Sequence, residues 1–430
     1  MDRILKSMKE RGIALESSSE YKLVALSTDL SQPDLGLTKE MMEQLKAEVT
    51  LILHLAWPVN FSIHLQSFEP HLAGLRTLLA LSLDVHRSEP ARIFFASSIS
   101  TAENTPPPAL IADAPVDNFS HALDMGYAQS KLVGEHMVLN AARRGARSYV
   151  LRIGQIVGDL QSGFWNDNEY VPSMIRSALS MKALPALDEN CSWIPVDTLA
   201  TAILEVSRTV QSGPRPCDID STSLPVVYNM CNPQLFSWDQ FLEKVRETGL
   251  EFETMPFGDW MQLLRNSASN GDEKENPAVK LLDHFELRYS MSNSTNIKDT
   301  GVNNDKVNAA SPKEPSVNSA AINRSKANDT TPDHSKVNGA HPKDSSINGS
   351  ALAPLRLTDA GYNANKTNGT THSTTTSLNS ANAPGPRNLG VTFDTAAVLR
   401  DSTVLRQPPN IIEDGYVQKF MSKWMERWLR

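Results

Sequence analysis

Cysteine is scarce in this chain of 430 residues: Cys191, Cys217 and Cys231 are odd in number and show no CxxC spacing. That excludes a disulfide framework and a cysteine zinc site, and leaves buried reduced thiols as the expectation. The ten histidines are scattered without an HExxH pattern, so no catalytic metal is expected. No apolar run approaches the roughly 20 residues that span a bilayer. The longest candidate, residues 49–59, contains His54 and reads as a buried strand. The opening residues, Met1 to Lys6, have no apolar core and so do not form a secretory signal. Positive charge is not in excess either: a formal net charge of -8 argues against nucleic acid or an anionic membrane as the main partner. A cytoplasmic protein is expected. Glycine is also missing near the start, where Gly12 is the only one before Gly36.

What is present suffices for a core, since 40% of the residues are hydrophobic. Residues 22–26 read as a strand and residues 37–49 as a helix. Residues 50–56 form a nearly continuous apolar run, as in a strand buried on both faces of a parallel sheet. A leucine-rich helix over 65–83 follows, then a strand over 92–96, a helix over 127–144 and a strand over 148–153. Strands alternating with helices imply βαβ units and an α/β, doubly wound parallel sheet.

Between residues 291 and 387 Asn, Ser, Thr, Ala, Lys and Pro dominate and aromatic residues almost vanish. The stretch from Lys306-Val307-Asn308 to Val317-Asn318 recurs, slightly changed, from Lys336-Val337-Asn338 to Ile347-Asn348. These units have no apolar face to stack, so a long disordered insertion is expected rather than a solenoid. Order is expected to return near Leu389, ending in an amphipathic helix over 414–430 with Tyr416, Phe420, Trp424 and Trp428 on one stripe.

Tyr127 and Lys131 form a YxxxK pattern near the start of a predicted helix. The i, i+4 spacing puts phenol and ammonium on one face. A neighbouring cation lowers a phenol's pKa, which suits proton transfer in carbonyl reduction. Taken alone, such a pair is usually ordinary helix surface. The context adds weight: Ser97, Ser98 and Ser100 lie where a buried strand runs out, about thirty residues earlier. Open parallel sheets bind ligands at the carboxyl ends of their strands.

The serine followed by YxxxK resembles the catalytic set of the extended short-chain dehydrogenases. His54-Leu55-Ala56-Trp57-Pro58-Val59-Asn60-Phe61 is similar to a segment of their thioester-reductase, or male-sterility-like, branch. So are the segments from Asp29 to Leu37, from Leu151 to Gly158, from Ser192 to Asp197 and from Asn276 to Leu282. The resemblance covers about 1–290 and resumes over about 389–430. That branch terminates nonribosomal peptide synthetases, some polyketide synthases and adenylate-forming reductases.

The resemblance implies an NADPH-dependent reductase acting on an acyl thioester that a carrier domain bears on phosphopantetheine. Hydride reaches the carbonyl carbon, and the hemithioacetal collapses to an aldehyde, which some members reduce again to an alcohol. By position, Ser98 would orient the carbonyl oxygen, with Ser97 or Ser100 as fallback. Tyr127 would be the general acid, and Lys131 would lower its pKa and bind the nicotinamide ribose. Asp29 and Leu30 would sit by the adenine, Ala56 and Trp57 would line the cofactor channel, and Gly154, Gln155 and Ile156 would lie near the nicotinamide. The expected layout is a Rossmann-like NADP-binding domain over 1–208, a smaller, mostly helical substrate or carrier region over 209–290, the insertion over 291–387, and a helical segment over 388–430 that completes the substrate region.

The sequence departs from this pattern at its start. A dinucleotide fold opens with a strand, a GxGxxG-type turn and a helix whose N-terminus holds the pyrophosphate. No such turn occurs, so the first βαβ unit is expected to be missing, and residues 22–26 are left without a neighbour beside 50–56. Either the protein is longer than this chain, or the chain is a remnant with altered cofactor binding. Two other readings therefore stand beside the reductase: a degenerate homologue that binds a carrier protein or megasynthase partner, and a short-chain dehydrogenase acting on a free carbonyl compound.

Overall fold

Helices pack on both faces of a parallel four-stranded sheet in the computed structural model, which describes residues 2–210, 226–271, 275–289 and 390–429. The whole of the predicted insertion over 291–387, and Cys217, lie outside the described residues.

The chain starts with α1 (Asp2–Glu10) and α2 (Lys39–Glu48), the latter capped by Thr38, whose side chain accepts from the Met41 N–H. Then come β1 (Leu51–His54), α3 (Glu69–Leu83), β2 (Arg92–Ser98), β3 (Ala109–Ile111), α4 (Gly126–Arg143) and β4 (Arg147–Ile153). The short β5 (Ile156–Val157) leads to α5 (Tyr170–Met181), β6 (Ala183–Ala186), β7 (Asn190–Cys191), β8 (Ile194–Pro195) and α6 (Val196–Thr209). Next are β9 (Val227–Met230), β10 (Phe236–Ser237), α7 (Trp238–Glu247), β11 (Glu253–Pro256), α8 (Phe257–Ser269) and α9 (Leu282–Tyr289). The last stretch holds β12 (Val391–Phe393), α10 (Ala396–Asp401), α11 (Thr403–Arg406) and α12 (Tyr416–Trp428).

The main sheet has the order β1-β2-β4-β9, all parallel. Side chains alternate across it, as the pleat requires. Ile93, Phe95 and Val150 pack under α3 and α4 with Leu75, Leu79 and Val138. Phe94, Tyr149 and Leu151 face the other way, against Leu199, Ile203 and Val206 of α6 and Val398 of α10. A separate aromatic core, with Trp165, Trp193, Trp238, Trp260 and Trp424, unites α5, α7, α8 and α12. The stripe on α12 packs inward: the Trp424 indole N–H donates to the Trp165 carbonyl at 3.2 Å.

Two expectations fail at the start of the sheet. Residues 22–26 form no strand: a 3-10 turn covers Ser17–Lys22, and Leu23 and Val24 are 39% and 80% exposed. A strand exists only where its N–H and C=O groups find a ladder partner, and apolar composition does not supply one. The run over 50–56 is an edge strand rather than one buried on both faces. Among the described residues β1 pairs only with β2, and Leu51, Ile52 and Leu53 are half-buried. Ala56 and Trp57 lie in the loop beyond it.

Candidate active site

The carboxyl end of the sheet is set by register. Ser98, the last residue of β2, lies opposite Ile153 of β4, which lies opposite Met230 of β9. The end of β2 is pinned from below by Glu135. One carboxylate oxygen accepts from Ser97 Oγ at 2.6 Å, Thr101 Oγ1 at 3.0 Å and Arg152 Nε at 3.2 Å. The other accepts from Arg152 Nη2 at 2.6 Å. Ser98 Oγ accepts from the Ser100 hydroxyl at 2.9 Å and faces the Tyr127 phenol.

Helix α4 carries the other groups. A Cβ on Gly126 would stand 2.3 Å from the Ile63 carbonyl oxygen, so only glycine lets the helix start press against that loop. Tyr127, Lys131 and Glu135 then follow at one-turn intervals on one face. Lys131 is 3% exposed and donates from Nζ to the Ala96 carbonyl at 2.5 Å. Its ammonium lies 4.7 Å from the Trp57 ring centre, 4.9 Å from that of Phe95 and 5.7 Å from that of Tyr127. Burial pulls its pKa down to about 7, against the opposing charge of Glu135.

The expected lowering of the Tyr127 pKa is overturned. Burial raises it, opposed by the Ser98 hydrogen bond, and the Glu103 charge raises it further. The ammonium of Lys131 donates to the Ala96 carbonyl and makes no hydrogen bond to the phenol.

The remaining predicted residues divide. Trp57 joins the centre: its indole N–H donates to Ser130 Oγ at 3.3 Å and its ring meets Phe95 edge-on. Gly154 lies one residue past Ile153, where an added Cβ would stand 3.2 Å from Cys231 Sγ. Gln155 accepts through its carbonyl from the Ile194 N–H at 2.9 Å, and Ile156 pairs with Ile194 in β5. Asp29 and Leu30 have other neighbours. Asp29 accepts from the Ser31 N–H and hydroxyl, which lowers its pKa, and Leu30 lies against Gly74 of α3. Ala56 is exposed.

Several residues escaped sequence reasoning. His54 closes β1, is 5% exposed, stacks on Phe95, and has no partner for Nε2. Burial and the Lys131 charge bring its pKa down to about 4, so it is neutral. A histidine ending an apolar strand was its only signal. A second group had none: Glu103, Tyr170, Glu189, His284, Arg288 and Tyr289. Arg288 Nη2 lies 3.0 Å from Glu189 and 3.5 Å from Glu103, and the Tyr289 hydroxyl donates to Glu189 at 3.2 Å. The Phe61 ring links this group to the centre, edge-on to Tyr127 at 5.2 Å and stacked on His284 at 4.5 Å.

A nicotinamide cofactor is tested by the groups present. The buried Lys131 ammonium and the unpartnered His54 nitrogen, at the end of a parallel sheet, fit its nicotinamide and ribose end. The glycine-rich turn that would hold its pyrophosphate is absent from the sequence.

Residues 1–203 match the family described as "Male sterility protein", an NAD-binding domain. Adenylate-forming reductase Nps10 of Heterobasidion annosum is 31% identical over 69% of this chain and 26% of its own length. The non-canonical non-ribosomal peptide synthetase ascB of Acremonium egyptiacum is 34% identical over 65% of this chain and 25% of its own. The chain therefore spans about a quarter of the length of these relatives. Among solved structures, the terminal R domain from the myxalamid PKS-NRPS pathway superposes with a TM-score of 0.56 at 26% identity, over 65% of this chain and 68% of that one.

Proposed function

We propose, from the premise that residues 1–203 belong to the male sterility family of NAD-binding domains, that this chain is an oxidoreductase converting a carrier-bound acyl thioester to an aldehyde or alcohol in secondary metabolism. The observation that carries this is the convergence of Ser98, Tyr127 and Lys131 at the carboxyl end of the sheet. The similarity to an adenylate-forming reductase, a peptide synthetase and a terminal R domain supports the thioester as substrate and an acyl carrier domain as partner. The cofactor is NADPH and the setting cytoplasmic. Residues 1–208 bind cofactor and lend Phe61, Glu103, Tyr170 and Glu189 to the acyl side, where residues 209–290 with 388–430 recognise acyl group and carrier. No helix among the described residues is long and apolar enough to cross a membrane.

The nicotinamide, when bound, supplies a hydride. Ser98 holds the carbonyl oxygen by a hydrogen bond. Burial keeps Tyr127 protonated through neutral pH, so it can give its proton to that oxygen. The carbon–sulfur bond then breaks, the thiol leaves with a proton, and the aldehyde is released. Lys131 would hold the ribose, and Gly154, Gln155 and Ile156 would meet the nicotinamide. Asp29 and Leu30 would meet the adenine, and Ala56 with Trp57 would line the cofactor channel.

NADPH-dependent aldehyde release from a loaded carrier domain tests the proposal. Tyr127→Phe should lower the rate by about 10²–10⁴-fold, the usual worth of a general acid. Unchanged turnover would remove Tyr127 from its role. The same assay separates this reading from a second one, a chain that binds a carrier domain without turning it over. Carrier affinity would then survive Tyr127→Phe and show no dependence on NADPH.

A further inference from the structure

We infer that Glu103, Glu189, His284 and Arg288, with the rings of Phe61 and Tyr170, form the acyl-recognition subsite and select acyl groups that carry a neutral hydroxyl. The inference rests on the reductase reading for its position, and on an incomplete set of hydrogen bonds for its chemistry.

Position comes from the ring chain. Phe61 touches Tyr127 on one side and His284 on the other, so His284 stands one ring beyond the reacting carbonyl. Tyr170 lies 5.2 Å from His284 on a further side, and the Arg288 guanidinium lies over the Tyr170 ring at 5.5 Å. About a fifth of each charged side chain stays open: 20% for Arg288, 18% for Glu103 and 24% for Glu189.

Chemistry comes from what is unpartnered. His284 is 6% exposed, yet neither ring nitrogen has a hydrogen-bond partner. Arg288 Nε and Glu103 Oε2 are likewise without one. Buried polar groups are seldom left so, because each costs about 1–3 kcal/mol. The open set is mixed. A neutral imidazole offers one donor and one acceptor, Arg288 Nε offers a donor, and Glu103 Oε2 offers an acceptor. A hydroxyl both donates and accepts, and so answers both kinds.

Charge decides against a carboxylate. Two glutamates face one arginine here, and burial pushes the Glu103 carboxyl toward its neutral form while its neighbour Glu189 adds to the effect. Arg288 is therefore already balanced by Glu189. An incoming anion would be desolvated with no spare cation to meet it. A plain alkyl chain would bury the open nitrogens and satisfy none.

The test is calorimetric titration of the full chain with ω-hydroxyhexanoyl, hexanoyl and adipoyl pantetheine amides, which cannot release an aldehyde. The hydroxyl compound should bind about tenfold or more tighter than either other one, the margin expected where a site bonds a hydroxyl. His284→Phe keeps the stack on Phe61 and should bring hydroxyl and alkyl compounds to within about twofold, as should Arg288→Met. Equal affinities in the unaltered chain, preference for the carboxylate, a preference that survives both substitutions, or no binding at all would each overturn the inference. Thioester turnover is read separately: a hydroxyl preference without NADPH-dependent reduction would remove the reductase reading and leave the subsite standing.

Discussion

Two buried ion pairs flank Ser98, Tyr127 and Lys131, and they are built to opposite plans. Beneath β2, Arg152 and Glu135 are both fully buried and 2.6 Å apart. Glu135 also accepts from Ser97 and Thr101, and Arg152 donates to Asn229 Oδ1 and the Ala114 carbonyl. Beyond Phe61, Arg288 meets Glu189 and Glu103 at 3.0 and 3.5 Å, with one guanidinium nitrogen, one carboxyl oxygen and a whole imidazole unpartnered. The same charges serve as scaffold where every polar atom is answered, and as a receptor where some are not.

Glu135→Ala should break the first plan outright. It leaves Arg152 buried without its counter-charge, which costs about 3–5 kcal/mol, read from the urea midpoint by tryptophan fluorescence. A loss below about 1 kcal/mol would erase the distinction between the two pairs. Lys131, one turn from Glu135, comes next. Its folded pKa of about 7 lies below the unfolded value of 10.5, so the unfolded chain binds more protons between those two values. Stability therefore rises with pH across that window, and the full cost is present below it. Lys131→Met should stabilise the chain by roughly 4–5 kcal/mol at pH 6.5, and the gain should shrink by pH 9.5. A gain independent of pH would show that Lys131 does not carry a depressed pKa.

Arg288→Met should cost less than about 1 kcal/mol in the same urea measurement, because Glu189 keeps the Tyr289 hydroxyl and Glu103 is drawn to its neutral form. A cost like that of Glu135→Ala would make the second pair scaffold as well. The smallest effect is expected from Glu103→Gln. It removes one of the causes that raise the Tyr127 pKa, so the alkaline limb of the pH–rate profile should move to lower pH. A limb that stays in place would show that the Glu103 charge does not reach the phenol.

The fold was legible wherever apolar runs alternate with amphipathic ones. Arg92–Ser98, Gly126–Arg143 and Arg147–Ile153 lie within two residues of their expected places. Ser98, Tyr127 and Lys131 were legible for the same reason, since a strand end and a one-turn helix spacing are local properties. Residues 22–26 misled because a strand also needs a partner edge, which composition does not reveal. The state of Tyr127 was hidden because spacing places Lys131 on the same face without saying that its Nζ turns to Ala96. The second ion pair was beyond reach: Glu103, Glu189, His284 and Arg288 meet only through tertiary packing, and no spacing announces them.

The far edge of the sheet has a consequence for how the protein is made. Beyond β9, Tyr228 donates its hydroxyl to Asp401 at 2.9 Å, Asn229 donates to the Asp394 carbonyl, and β12 pairs with β3. Those partners are translated more than 160 positions after Tyr228 and Asn229. On the ribosome, the strands that end at Ser98 and Ile153 emerge long before the segment that packs on that edge. The nascent chain must hold these polar groups in water until residues 391–401 leave the exit tunnel. Premature termination anywhere before Val391 would thus yield a chain with Ser98, Tyr127 and Lys131 present and that edge unsealed.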